Sequence, residues 1–267
     1  MRHLPAWRDW RRWIPAECPG CGRRQPGQGL CAHCLGQLAW DRAVPYCPVC
    51  RHPLRAGGCP DCPPGGPAYD RVVAAFAYAG LGRDLLQAYK TRRCLALAPV
   101  LADHLAAAVR QAEALQPPPD WIVPVPARRQ GVRARGFSPA AELARLLAAR
   151  LGVVYALDRV HRRHDGARQA GLNRAQRLHA PQGVYACGPS AAPARGGGRA
   201  PGPWAGARVA VVDDVLTTGA TLQAVARVLK AAGVAHVQGW VLARTVSGRF
   251  SDARAAAPPG PDGRALQ

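Results

Sequence analysis

Three features of the chain predict an α/β domain built on a largely parallel sheet and preceded by a small cysteine-rich ribbon. Short apolar runs alternate with helical patterns across residues 69–244, which is how strand–helix–strand units are written in sequence. One such run, "RVAVV" at 208–212, leads into two adjacent acids and then a loop of small and hydroxylated residues. Ahead of the α/β pattern, four Cys-x-x-Cys pairs fall between residues 18 and 62.

The first element is the stretch 1–16, where Trp7, Trp10, Trp13 and Ile14 recur near helical spacing with Arg8, Arg11 and Arg12 between them. It is predicted as a short amphipathic helix packing on the rest of the chain; a partner surface or a membrane-interface helix are the sharper alternatives. It has no uninterrupted apolar core or small-residue cleavage site, so no signal peptide is read and a cytoplasmic location is expected. No run approaches the eighteen or so apolar residues of a membrane span.

Residues 17–63 are predicted as a double zinc ribbon. The pairs are Cys18 and Cys21, Cys31 and Cys34, Cys47 and Cys50, Cys59 and Cys62. Each pair turns two thiolates toward one point, and two pairs complete a tetrahedron around Zn²⁺. Sequential pairing is the simplest, and an interleaved one is also open. Closed Cys₄ sites leave no open position, so the two zincs are expected to be structural. With few apolar residues, the segment needs its metal to fold. A disulfide framework would need export, which nothing here suggests. Cys94 and Cys187 stand apart as incidental thiols, and His33 and His52 are expected at the surface.

After the linker "PPGGP" (63–67), the α/β domain is predicted over 68–246. Strands are expected at 69–80, 117–126, 153–157 and 235–244, besides the run at 208–212. Helices are expected at 81–90, 95–115, 138–152 and 221–233. Ser138 is the N-cap of the third helix, Pro139 its first residue and Gly152 its stop. Residues 158–182 are arginine-rich and poorly periodic. Residues 188–206 are of low complexity and expected to be a flexible insertion, and 247–267 a disordered tail.

The formal charge is +20, yet only Lys90 and Lys230 among 36 basic residues are lysines, as a GC-rich genome would produce without any selected partner. Two Cys₄ zinc sites would lower the charge to about +16. The ribbon is then nearly neutral, and the excess lies between Arg128 and Arg177, with twelve Arg against three acids.

Adjacent carboxylates repel, so something must offset the arrangement. Asp213 and Asp214 can accept hydrogen bonds from the two hydroxyls of a ribose. Beyond Val212, the loop Leu216, Thr217, Thr218, Gly219, Ala220 and Thr221 enters a helix. Its small residues let backbone N–H groups close on a phosphate, and the threonines add hydroxyl donors. There is no G-x-x-x-x-G-K-[ST], so a Walker-type nucleotide site is excluded.

At "VVDDVLTTGAT" the chain resembles the phosphoribosyltransferases, whose strand, acid pair and T-T-G-x-T loop hold phosphoribosyl pyrophosphate. The resemblance implies a type I phosphoribosyltransferase fold. Over residues 14–244 the chain also resembles the ComF (ComFC-like) competence family, on its zinc ribbon, "AYKTRR" (88–93), "IVPVP" (122–126), "RARGF" (133–137) and a Gln169, Leu172, Arg174 segment. It departs from that family at Ser138 and Pro139 ("RGFSP", 135–139), Gly166 and Ala180, on the substrate side and in the cover loop. By resemblance, "PVPARR" (124–129), with Pro126 and Arg128, faces the pyrophosphate. Lys90 and Arg128 meet that anion, and 161–180, with Arg177, covers the site. The implied function is transfer or exchange of a phosphoribosyl group, with Mg²⁺, linked to DNA uptake. The implied catalytic set is Asp213, Asp214, Lys90 and Arg128. The alternative is a non-catalytic module of the same fold that binds single-stranded DNA or competence proteins. His161 and His164 lie in the cover loop, and neither stands out as a base for an acceptor.

Overall fold

The computed structural model describes residues 15–56, 58–112, 114, 116–163, 183–188 and 204–246. The Trp/Arg segment up to Ile14, the middle of the expected cover loop with His164, Gln169, Leu172, Arg174 and Arg177, residues 189–203 and the tail from Ser247 lie outside the described residues.

The chain opens with the antiparallel pair β1 (Pro15–Glu17) and β2 (Arg24–Pro26), which clasps the first Cys-x-x-Cys turn. Pro15 and Ala16 thus belong to a strand rather than to the amphipathic helix expected over 1–16. The helix α1 (Ala32–Leu38) follows. Then come β3 (Arg71–Ala77), α2 (Gly80–Lys90), α3 (Leu97–Ala112), β4 (Trp121–Pro124), α4 (Arg129–Arg135), α5 (Pro139–Leu151) and β5 (Val154–Tyr155). The pair β6 (Val160–Arg162) and β7 (Tyr185–Cys187) is followed by β8 (Arg208–Leu216), α6 (Ala220–Ala231) and β9 (His236–Arg244).

The main sheet is parallel throughout, in the order β3-β9-β8-β4-β5. Its strands are apolar on both faces because helices cover both. Alternation along β8 shows the division. Ala210 and Val212 join Ile122, Trp240 and Leu242 beneath α2, α3 and α5. Val209 and Val211 join Val123, Val237 and Val241 beneath α6 and the β6–β7 pair. At Gly239 in β9 the fit against α6 is close, and a Cβ there would lie 2.4 Å from Leu222 Cδ2. α5 starts where its sequence signals lie, with Ser138 Oγ accepting from Ala141 N–H at 3.3 Å and Pro139 leading the helix.

Three segments differ from expectation. The arginine-rich stretch after 158 contains β6, which pairs antiparallel with β7 across an intervening segment; its pattern is too short to read. The loop after β4 turns into α4, which has no buried residue and so no apolar stripe to announce it. The end of the stretch expected to be flexible is anchored by Trp204, which is buried and packs against Trp121 with ring centres 5.9 Å apart and planes tilted by 60°.

The ribbon packs on the sheet domain. Leu38 of α1 enters the α2–α3–α5 core, and Trp40 Nε1 donates to Ala74 O in β3 at 2.9 Å. On α3, His104 stacks on Phe76 at 5.9 Å, and its Nε2 finds no hydrogen-bond partner among the described residues. Burial lowers its pKa from the usual 6.5. The unfolded chain therefore takes up this proton first, and stability falls as pH drops below about 6.5, by at most about 1.4 kcal/mol per pH unit for one group. His104→Leu should remove that component. Thermal midpoints across pH 5.5–8 should shift in favour of the variant below pH 6.5, with a constant difference above pH 7.

Candidate functional site

β4 and β8 lie side by side and parallel, but the chain leaves them in opposite directions. From β4 it crosses through α4 and α5 to β5; from β8 it crosses through α6 to β9. This reversal opens a crevice at the carboxyl ends of the two strands, the place where open α/β sheets bind ligands. The β4–β8 register ends with Pro124 opposite Val212, and one further bond joins Val125 N–H to Val212 O at 2.8 Å. β8 runs on four residues beyond that point, held on its other edge by β9 from Asp213 opposite Val241 to Leu216 opposite Arg244.

Asp213 and Asp214 sit within this overhang, so they lie inside the strand and not at its end. Strand alternation sends them to opposite faces. Asp214 is buried on the α2 side, where Lys90 Nζ lies 2.7 Å from its Oδ2. Asp213 faces the other side, where it and Arg128 both act on the buried Tyr185 hydroxyl. Its Oδ1 accepts from Asp214 N–H at 2.8 Å. Burial, and then the Asp214 carboxylate, push the Asp213 pKa well above the usual carboxylate range, and Lys90 only partly opposes this. The pair therefore holds a proton more readily than two free acids.

Past Leu216 the loop Thr217, Thr218 and Gly219 leads into α6 at Ala220 and Thr221. Gly219 is the N-cap residue, in the left-handed region (φ 79°), and has no side chain with which to cap the helix. Thr218 Oγ1 accepts from Ala220 N–H at 3.4 Å. The buried Tyr69 backs the loop, and a Cβ at Gly219 would meet its hydroxyl at 3.0 Å.

Across the crevice, Pro126 and Ala127 follow β4, and Arg128 is the residue before α4. A cavity of about 850 Å³ opens beside this loop, lined among others by Pro126, Arg129, Ser138, Asp158, His161 and Arg162. The structure thus pairs Lys90 with Asp214 and sets Asp213 beside Asp214 on the opposite face, with the Leu216–Thr221 loop continuing from the acids and Arg128 on the facing strand end. Sequence reasoning missed Tyr69 and Tyr185. A tyrosine at a strand start carries no signal of what it backs.

The cysteines form two groups, Cys18, Cys21, Cys31 and Cys34, and Cys47, Cys50, Cys59 and Cys62, so the pairing is sequential. The Sγ pairs Cys18–Cys34, Cys21–Cys31 and Cys47–Cys62 lie 3.7, 3.7 and 3.8 Å apart, and Cys50–Cys59 3.3 Å. A tetrahedral zinc with 2.3 Å bonds needs edges of about 3.8 Å, so both groups fit a zinc ribbon. The two turns repeat one pattern. Gly22 N–H and Arg51 N–H donate to Cys18 O and Cys47 O at 2.8 and 3.0 Å, and both residues have positive φ, 72° and 62°. His33 is exposed, but His52 is buried, contrary to expectation, with Nδ1 at 2.8 Å from Pro53 O and Nε2 at 3.7 Å from Asp61. Its knuckle lies against the sheet domain, a placement no local pattern announces.

Gly219→Ala tests the loop. A side chain at this φ costs about 1 kcal/mol, and the Tyr69 contact adds to that. The thermal midpoint should fall, and Tyr69→Phe should recover the contact part but not the backbone part.

Residues 130–255 match the phosphoribosyl transferase domain family. The chain is 30% identical over 222 residues to competence protein F of Haemophilus influenzae, covering 81% of this chain and 90% of that protein. It is 29% identical over 226 residues to the DNA utilization protein YhgH of Escherichia coli K12, covering 82% and 91%. A looser likeness, with TM-score 0.35 and 17% identity, covers 62% of this chain and 79% of a crystal structure of adenine phosphoribosyltransferase. With ribbon, parallel sheet and relative aligned over most of both lengths, the chain belongs to the competence protein F (ComF) family of phosphoribosyltransferase-domain proteins.

Proposed function

We propose that this chain binds phosphoribosyl pyrophosphate with Mg²⁺ in the crevice between β4 and β8, transfers or exchanges the phosphoribosyl group, and does so in the service of DNA uptake. The observation that carries this reading is the overhang of β8, where an acid pair runs straight into a small-residue loop and helix start. Asp213 and Asp214 take the ribose hydroxyls. Backbone N–H groups of Gly219, Ala220 and Thr221, with the hydroxyls of Thr217, Thr218 and Thr221, take the 5′-phosphate. Val212 and Leu216 fix the two ends of this stretch within the strand. Pro126 shapes the facing loop, and Arg128 offers its fork to the pyrophosphate. Lys90, held by Asp214 at 2.7 Å, is the cation close enough to turn from that acid to the incoming anion.

Carboxylate and diol oxygens suit a hard cation, and bound Mg²⁺ supplies charge neutralisation on the pyrophosphate. The remaining chemistry falls to the chain itself. As the bond between C1 and the pyrophosphate oxygen lengthens, positive charge grows on the ribose ring beside Asp213 and Asp214. Arg128 and Lys90 receive negative charge on the leaving group. The cavity past Pro126, with Ser138, Asp158 and His161, is where an acceptor would enter. The two cysteine groups hold structural Zn²⁺ as thiolates, and the two cysteines outside them, Cys94 and Cys187, are in no disulfide, which suits the reducing cytoplasm.

A second reading, binding of single-stranded nucleic acid or of competence proteins without turnover, is supported by Arg129, Arg162 and Arg163 on the same cavity and by the names of the relatives. Calorimetry separates the two readings. Phosphoribosyl pyrophosphate with Mg²⁺ should bind the zinc-loaded protein, and each of Asp213→Asn and Asp214→Asn should weaken binding on the order of 10–100-fold, as for a lost charge-assisted hydrogen bond. No heat from folded wild type at several temperatures, together with salt-dependent DNA binding that survives both substitutions, would favour the second reading.

A further inference from the structure

Arg244, the last residue of β9, is 1% exposed. Its guanidinium spans two parts of the molecule that are far apart in sequence. Nε donates to Cys50 O at 3.0 Å, and Nη2 pairs with Asp61, the residue just before Cys62. Nη1 donates to Leu216 O at 3.1 Å and to Thr217 O, the first carbonyls of the loop that opens α6. The Asp61 side chain is only 6% exposed and faces His52. Tyr69, which backs Gly219, lies within the electrostatic reach of Cys50, Cys62, Arg244 and Asp61. One buried charge thus binds the second cysteine group and the loop together. The first group is placed differently, against Leu30 and against Leu81 in the first turn of α2.

A planar guanidinium with five donors holds several acceptors in fixed relative positions. If Asp61 and Cys50 shift, the carbonyls of Leu216 and Thr217 lose their common anchor. Metal at Cys47, Cys50, Cys59 and Cys62 fixes the backbone on both sides of Asp61. We propose that Arg244 and Asp61 are positioning residues that link metal retention in the second cysteine group, and not the first, to the placement of the Leu216–Thr221 loop. Linkage is reciprocal: metal in that group tightens the loop for its anion, and an anion in the loop slows loss of that metal. The half of the proposal that concerns ligand affinity rests on the ribose-phosphate reading above; the half that concerns loop order does not.

The test uses the full-length, zinc-loaded chain, with wild type, Asp61→Asn and Arg244→Lys compared. Hydrogen exchange of the peptide covering residues 216–222 should speed up about tenfold or more in Asp61→Asn, while α5 peptides are unchanged. Release of one of the two zincs to a colorimetric chelator should accelerate, and the other should not. Affinity for phosphoribosyl pyrophosphate with Mg²⁺ should fall about tenfold in either variant, with the double variant no worse than the single ones, as for two residues acting as one unit. Wild type alone gives an independent reading, because the same ligand should slow release of one zinc and leave the other unaffected. Unchanged exchange at 216–222 alongside faster zinc release would overturn the proposal, as would equal slowing of both zincs by the ligand. If wild type binds no phosphoribosyl pyrophosphate but the exchange and release effects appear, the link stands and the ribose-phosphate reading falls.

Discussion

The site depends on a difference in strand length. β4 leaves the sheet at Pro124 while its neighbour β8 continues to Leu216. Had both strands ended together, β4 would cover the edge of β8 on which the acids lie. β9 alone carries the ladder through the overhang, so the other edge of Asp213–Leu216 is open to the crevice. The reversal of winding at the same point keeps α5 and α6 on opposite faces of the sheet and the crevice free of helix. Proline sets the strand length. Pro124 ends β4, and Pro126 has no N–H with which to extend it.

Parallel sheets are stable only when both faces are covered, and here the covering layers also supply the site. α2 belongs to the core through Leu85, Leu86 and Tyr89. Its last residue is thereby brought within reach of Asp214, although 124 positions separate the two in sequence. On the opposite face, β7 packs Tyr185 into the core beside α6, and its hydroxyl senses both Asp213 and Arg128. Side chains that seal the sheet therefore place the groups around the acid pair, which ties the charge arrangement to the packing of the whole domain.

Local chemistry made much of this legible in the sequence. Cys-x-x-Cys turns announce themselves because four thiolates need a fixed spacing, and the structure groups them sequentially. The strand, acid pair and Thr-Thr-Gly loop are contiguous, so one window of sequence holds them. The unread parts are those made by distant residues or by weak patterns. β6 and β7 are three residues each. α4 buries nothing. Burial of His52 and the bonds of Arg244 depend on how the ribbon docks, and no periodicity within residues 47–62 encodes a docking surface contributed by residues 216–244. The strand boundary was misread at Asp213 for a related reason. Acids suggest a strand end when their partners are unknown, yet Lys90 and the open edge make them tolerable inside one.

The alternation of Asp213 and Asp214 bears on what the pair can do. Two carboxylates on opposite faces of one strand cannot clamp a small ion as a single chelate from one side. They can flank a flat object laid across the open edge of the strand. A furanose ring has that shape, and its two adjacent hydroxyls can reach one acid each. The two acids also begin in different states: Asp214 is matched to a lysine, while Asp213 is pushed toward protonation by burial and by its neighbour. A neutral diol can exchange hydrogen bonds with both an ionised and a protonated carboxyl, so the asymmetry does not oppose binding. On the proposed reading, an anionic ligand would compete with Asp214 for Lys90. A lysine drawn away would leave the acid pair without its counterion, and a growing positive charge on a bound ring would be the favourable replacement.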